Sequence, residues 1–308
     1  MQDTGCHDRL PASYDLALKP KKIFLDHDGG IDDFIAQILL LNCKNVELVG
    51  ISVIDADCYI DSAFEVSRKL TVMLDRYGIP FAKSTLTGKH PFPSKWRRFS
   101  ESCNYFPSLL CTKTSDKFLF KQDEKLTGQE LLVKCIRESP EPVTIVVTGP
   151  VTNIAWALDN DPGFHANVKE VLIMGGAVDV AGNVLDQDNH DGSAEWNIYY
   201  DAPALDRLLR SPLRLVLVSL DATNAVPITK ELLQRFGAQN RYLASQFAGA
   251  AYAMCIPGGY FAWDVLTAAI AVRPDLCRLE EVPITVELNP PQAVDPSHLF
   301  TFLSIIIS

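Results

Sequence analysis

No stretch of this 308-residue chain reaches the ~18 consecutive apolar residues of a membrane-spanning helix. The stretch from Met1 to Pro20 is polar and lacks the apolar centre of a secretory signal. Basic residues are also scarce: 28 Lys+Arg against 38 Asp+Glu leave a formal net charge of −10. The densest basic patch, Lys95, Trp96, Arg97 and Arg98, is short. A nucleic-acid binder needs a surplus of Lys and Arg to neutralise phosphates, so nucleic acid is excluded as a partner. The cysteines at 6, 43, 58, 103, 111, 135, 255 and 277 form no C-x-x-C pair, and several lie in apolar segments. A chain of this size does not need disulfide staples, so the expectation is reduced thiols in a cytoplasmic protein without a membrane partner. No linker, repeat or low-complexity segment interrupts the sequence.

What is present is 47% hydrophobic and 21% charged residues, ample for a packed core. Ile23–Leu25 is a short apolar run that breaks at an Asp/Gly cluster, and Ile31–Leu41 then has the spacing of a buried helix. Val46–Ile54 reads as a strand and Ala63–Leu74 as an amphipathic helix. The β-branched run Val143–Val147 precedes Thr148-Gly149-Pro150 and a helical segment from Asn153. Val168–Met174 is a strand ending in Gly175-Gly176, and Leu213–Leu220 is another ending at Asp221. Strands alternating with helices imply βαβ units, hence an α/β fold with a mostly parallel sheet in a single domain. That domain is expected over residues 21–308, after an N-terminal extension at 1–20. Asp26 and Asp28 follow the first strand, Thr148 follows the one at 143–147, and Asn183, Glu195 and Asn197 follow the one at 168–174. In open parallel sheets the ligand crevice lies outside the carboxyl ends of the strands, so these residues point to one shared site.

The sharpest local feature is Asp26-His27-Asp28-Gly29-Gly30-Ile31-Asp32-Asp33. Four carboxylates in eight residues repel one another unless a positive charge sits among them, and a hard divalent cation is the natural answer. Helix capping accounts for one or two of the four acids, not all. The acid and glycine spacing does not fit an EF-hand loop.

Two enzyme classes begin with a strand and then D-x-D-G. The haloacid-dehalogenase-like phosphatases expect Thr after that string, where this chain has Gly30, and a later G-D-x-x-x-D, which it lacks. The chain resembles more specifically the calcium-dependent nucleoside hydrolases, whose signature D-x-D-x-G-x-D-D is met by Asp26 to Asp33 with Gly30 as the glycine. The resemblance continues through Val147-Thr148-Gly149-Pro150-Val151-Thr152-Asn153-Ile154-Ala155, Met174-Gly175-Gly176, Gly182-Asn183, Ala194-Glu195-Trp196-Asn197 and Ala262-Trp263-Asp264, in the family's order. Asp55-Ala56-Asp57-Cys58, Pro91-Phe92-Pro93-Ser94-Lys95-Trp96-Arg97 and Trp263 before Asp264 look like the inosine-adenosine-guanosine-preferring branch.

The resemblance implies a Rossmann-like open sheet flanked by helices, a homodimer, and hydrolysis of the N-glycosidic bond of purine ribonucleosides to base and ribose. It implies Ca²⁺ held by Asp28, Asp33, Asp264 and the Thr148 carbonyl, anchoring the ribose diol and acidifying a water poised at C1′. Asp28 is then the general base, Asp32 bonds a ribose hydroxyl, and Asp26 orients the other acids. Asn183, Glu195 and Asn197 match ribose contacts, and Met174 a residue on the ribose face; a turn residue and local caps are the alternatives for the first three. The leaving purine is expected between Trp96 and Trp263, whose stacking favours its cationic form. Trp196 and Tyr260 are expected to line the pocket and Asp57 to stand near the base, with His27 and His190 as bystanders.

Gly30 stands where this branch often has Asn, and Cys255–Tyr260 is shorter than the active-site loop the resemblance implies. Asn289–Ser308 diverges and reads as a truncated or alternatively spliced end, its apolar part Phe300–Ile307 exposed unless packed or held by a partner. Two readings of other classes stand beside the hydrolase. One is a phosphatase using the Asp26/Asp28 pair, and the other a nucleoside-binding relative without turnover.

Overall fold

The computed structural model describes residues 19–110, 125–185, 187 and 190–288, together with the backbone of 300–306. Its strands are β1 (Lys21–His27), β2 (Val46–Val53), β3 (Phe81–Lys83), β4 (Val143–Val147), β5 (Val168–Met174), β6 (Leu215–Val218), β7 (Arg278–Ile284) and β8 (Phe300–Ile306). They form one sheet in the order β3-β2-β1-β4-β5-β6-β8-β7. All neighbours pair parallel except β7, which runs antiparallel to β8. The α/β class, the single domain and the mostly parallel sheet expected from the sequence are what the structure has.

The central strands are apolar on both faces because both faces are covered by helices. Successive side chains point to opposite faces. Ile23 and Leu25 of β1 therefore pack with Val146, Leu172 and Val216 against the helices Ile31–Asn42, Ile60–Met73, Leu243–Cys255 and Trp263–Val272. Phe24 packs on the other face with Ile145, Ile173 and Leu217 against Gly128–Glu138, Thr152–Asn160 and Ala202–Leu209. The sheet reverses its order between β1 and β4. That switch point opens a crevice at the strands' carboxyl ends, where Asp26 and Thr148 stand.

The C-terminal apolar stretch takes the packed alternative of its expectation. Phe300–Ile306 is inserted into the sheet as β8, hydrogen-bonded to β6 on one side and along its length to β7 on the other. The expected extension at 1–20 falls almost wholly outside the described residues. No helix among the described residues is long and apolar enough to cross a membrane. The described cysteines 43, 58, 103, 135, 255 and 277 are free thiols.

Candidate active site

The acidic loop is shaped by two glycines. Gly29 has φ +82, and a Cβ there would fall 2.2 Å from Ala63 Cβ, so only glycine turns the chain here. A Cβ on Gly30 would meet Asp57 Oδ2 at 2.5 Å. The missing side chain thus makes room for a fifth acid, which contributes through the β2 end. The helix Ile31–Asn42 then starts, and Asp33 reaches back to accept the Gly30 N–H at 2.7 Å. Asp32 and Asp33 occupy the first turn, where the exposed amides favour negative charge.

Asp26, Asp28, Asp32, Asp33 and Asp264 are all buried. Asp26 sits behind the others, its Oδ1 accepting from Ser52 Oγ at 2.6 Å and Asn153 Nδ2 at 2.9 Å. Asp28 Oδ2 accepts the Asp57 N–H at 3.1 Å. Thr148 donates its hydroxyl to Asp33, and its backbone N–H meets the Asp26 carbonyl at 2.9 Å, fastening β4 to β1. Asp32 accepts from the Tyr260 hydroxyl at 2.7 Å and from the Asp264 N–H at 3.2 Å.

Burial raises every one of these carboxyls. Asp26 is pushed up to about 7 by burial, against the hydrogen bonds from Ser52 and Asn153. Burial also carries Asp33 to about 7, opposed by its hydrogen bond with Asp28. Asp28 and Asp264 lie well above the carboxylate range because of burial and, next, the charges of Asp33 and Asp32 respectively. Burial lifts Asp57 likewise, then Asp28 adds to it while Arg97 pulls it down. Among the described residues no three His, Cys, Asp or Glu side chains are already gathered around a metal position. The acids stand in neighbouring pairs instead, Asp28 beside Asp33 and Asp264 beside Asp32, with burial the leading cause that raises all four. With the Thr148 carbonyl beside them, these carboxyls make an all-oxygen donor set of the kind a hard divalent cation takes.

On the crevice's other side, Asn197 Nδ2 donates to the Thr148 carbonyl at 3.1 Å and to the Met174 carbonyl at 3.3 Å, with Met174 Sδ at 3.4 Å. Glu195 caps the short helix Trp196–Tyr200, accepting from Asn197 N and Ile198 N, and also takes Gly176 N at 3.0 Å. Burial raises its carboxyl, opposed by those amides. Asn183 Oδ1 accepts the Trp196 N–H at 3.0 Å. Glu195 thus caps its own helix, while Asn183 and Asn197 bond backbone groups distant in sequence, Asn197 joining the ends of β4 and β5.

The three tryptophans expected at the site, Trp96, Trp196 and Trp263, fall in two groups. Trp96 meets Trp196 edge-on with ring centroids 5.2 Å apart, beside Phe92, Tyr199 and Tyr200. Trp196 is 5% exposed, so it backs Trp96 instead of presenting a face of its own. Trp263 opens the last long helix, half-buried, with Tyr260 4.6 Å from its ring. His27 is buried behind the loop against Ser67, and His190 packs on Tyr199. Ser52, Asn153 and Asp221 carry hydrogen bonds that the sequence reading gave no role. Asn153 lies in a quoted motif, and a polar residue inside an otherwise apolar helix start was the available signal.

A family model described as "Inosine-uridine preferring nucleoside hydrolase" matches residues 23–296. Over 112 residues the chain is 43% identical to the pyrimidine-specific ribonucleoside hydrolase RihA of Salmonella newport (strain SL254), covering 36% of this chain and 34% of that one. The chain spans less than two thirds of the length of the first curated relatives it matches. Among solved structures it is similar to the inosine-uridine preferring nucleoside hydrolase from Bacillus anthracis, at TM-score 0.85 and 33% identity, covering 94% of this chain and 95% of that chain. It is also similar to the purine-preferring ribonucleoside hydrolase from Gardnerella vaginalis, at TM-score 0.68 and 25% identity, covering 92% and 88%.

Proposed function

This chain belongs to the inosine-uridine preferring nucleoside hydrolase family, and from that premise we propose that it hydrolyses the N-glycosidic bond of purine ribonucleosides in a Ca²⁺-dependent reaction. The observation that carries the reading is the convergence of the buried Asp28, Asp32, Asp33 and Asp264 beside Thr148 at the sheet's switch point. Asp28, Asp33, Asp264 and the Thr148 carbonyl are the residues that would hold the ion. Bound there, Ca²⁺ would anchor the ribose diol and lower the pKa of the attacking water.

Asp28 takes the proton of that water as it attacks C1′, and the electron pair of the breaking C1′–N bond leaves with the base. Asp26, fixed by Ser52 and Asn153, orients the acids in front of it. Asn183, Glu195 and Asn197 face the sugar. Trp96 and Trp263 take the two faces of the purine, whose stacking favours the protonated leaving group. Asp57 stands near the base. A homodimer in the cytoplasm is part of the same proposal, with light scattering as the test of assembly.

A pyrimidine preference is the second reading, favoured by the name of the Salmonella relative. The phosphatase reading has less to support it, because Asp26 is buried behind Asp28 and taken by Ser52 and Asn153. The deciding experiment measures ribose release from inosine and from uridine, with and without EGTA, for the wild type and Asp28→Ala. Chelator-sensitive release from inosine that vanishes in the variant is expected. Faster release from uridine selects the second reading, and nucleoside binding without release from either substrate selects a non-catalytic relative.

A further inference from the structure

β6 stops at Val218, short of the Leu220 expected from the sequence, because Ser219 begins the short helix Leu220–Thr223, whose first turn carries Asp221, an acid with no part in the chemistry above. Its carboxylate is turned toward the loop that follows β5. Oδ2 accepts the Val178 N–H at 3.0 Å and Oδ1 the Asp179 N–H at 2.8 Å, and Ser219 Oγ donates to Oδ2 at 2.7 Å. Two successive amides on the two oxygens of one ionised group make charge-assisted bonds, stronger than neutral ones.

The root of this loop is stitched elsewhere. Gly175 N meets the Val218 carbonyl at 3.3 Å, Leu220 N meets the Gly176 carbonyl at 2.8 Å, and Gly176 N meets Glu195. The loop's return is fixed by Asn183 N and Val184 N, both donating to the Ala194 carbonyl at 2.9 and 3.1 Å. Between root and return, residues 177–182 have no described hydrogen bond except the two to Asp221. What lies just beyond them matters to the site. Asn183 binds the Trp196 amide, and Val184 is fully buried in the aromatic cluster that backs Trp96.

We propose that Asp221 is a positioning residue for the nucleoside site: by clamping Val178 and Asp179 it sets where Asn183 meets the ribose and where the Val184–Trp196 wall stands. The proposal rests on the nucleoside hydrolase reading. Asp221 touches none of the acids at the switch point, so its loss acts on substrate binding and leaves the chemical step in place.

The test is steady-state inosine hydrolysis by the wild type, Asp221→Ala and Asp221→Asn, with amide hydrogen exchange over residues 176–185. In Asp221→Ala, KM rises by about tenfold, the factor for ~1.4 kcal/mol of binding, kcat stays near wild type, and the amides of Val178 and Asp179 exchange faster. Asp221→Asn keeps the shape and one acceptor, and gives an intermediate KM. Unchanged KM in both variants overturns the proposal, as does a kcat that falls in step with the melting temperature. A wild type that releases ribose from no nucleoside overturns the underlying reading and this proposal with it, and that failure is seen before any variant is compared.

Discussion

The Tyr260 hydroxyl donates to Asp32 Oδ1 at 2.7 Å while the Asp264 backbone N–H takes Oδ2 of the same carboxylate at 3.2 Å. One side chain thereby ties the first turn of the helix Ile31–Asn42 to the first turn of Trp263–Val272, the two turns that carry Asp33 and Asp264. Tyr260 itself is fixed by its neighbours, its carbonyl accepting the Ile228 N–H at 2.8 Å beside the bridge between Pro227 and Phe261. A hydroxyl committed to Asp32 orients that carboxylate before any sugar arrives. Tyr260→Phe removes one hydrogen bond to an acid and leaves the ring in place. A hydrogen bond to a charged group contributes ~1.5–3 kcal/mol, so kcat/KM for inosine should fall by at least about tenfold. Ribose-release kinetics with folding checked by circular dichroism read this. An unchanged kcat/KM would mean the carboxylate needs no second holder.

Trp263 stands immediately before Asp264 at the start of its helix, with its indole N–H buried and unpartnered. Base–aromatic stacking contributes ~1–3 kcal/mol per base. Trp263→Ala should therefore lower kcat/KM for inosine by about 10- to 100-fold, and lower that for uridine less. Paired kinetics on the two nucleosides measure the difference. An equal fall for both would assign Trp263 to holding Asp264 in place and not to the base.

The strands that position this chemistry were legible because each is an apolar run closed by its own punctuation. β4 and β5 match the sequence reading residue for residue, ended by Thr148-Gly149-Pro150 and by Gly175-Gly176. The helix Ile60–Met73 begins three residues before the Ala63 read from apolar spacing, because its first turn is polar and half-exposed. β8 was not legible as part of the sheet. Its partners β6 and β7 are remote from it in sequence or joined through segments with no local pairing signal, so only the assembled sheet shows its place. The acid cluster could be read from spacing alone. The hydrogen bonds that orient it could not, since Ser52, Asn153 and Tyr260 come to their partners from other elements.

Gly29 is the most constrained position of the acidic loop. With φ +82 and a Cβ placed 2.2 Å from Ala63 Cβ and 3.2 Å from Ala63 Cα, Gly29→Ala meets a left-handed backbone penalty and a clash together. The backbone penalty alone is ~1–2 kcal/mol, so the loss seen in urea unfolding should exceed it. Combining Gly29→Ala with Ala63→Gly removes the closer contact and should recover part of the loss, leaving the backbone penalty. Full recovery in the double variant would show that the clash alone decides.

Far from the crevice, Arg137 grips both oxygens of Asp161, joining the helix Gly128–Glu138 to the end of Thr152–Asn160. The Arg137 hydrogen bonds hold the Asp161 carboxyl below its ordinary value, against the opposing effect of burial. A carboxyl depressed in the folded state stabilises above its unfolded pKa of ~3.9 and loses that contribution as pH falls through the folded value. Asp161→Asn keeps the shape and removes the charge. Its urea midpoint should therefore lie below wild type at pH 7, and the gap should close as the pH is lowered past the folded pKa. A gap of constant size down to acid pH would assign the effect to the fit of the amide in place of the carboxylate and not to the ion pair. Ribose release at pH 7 should be unaffected by this substitution, because the hydrogen bonds described for the Arg137 and Asp161 side chains go to each other and to Gly163, not to the clustered acids.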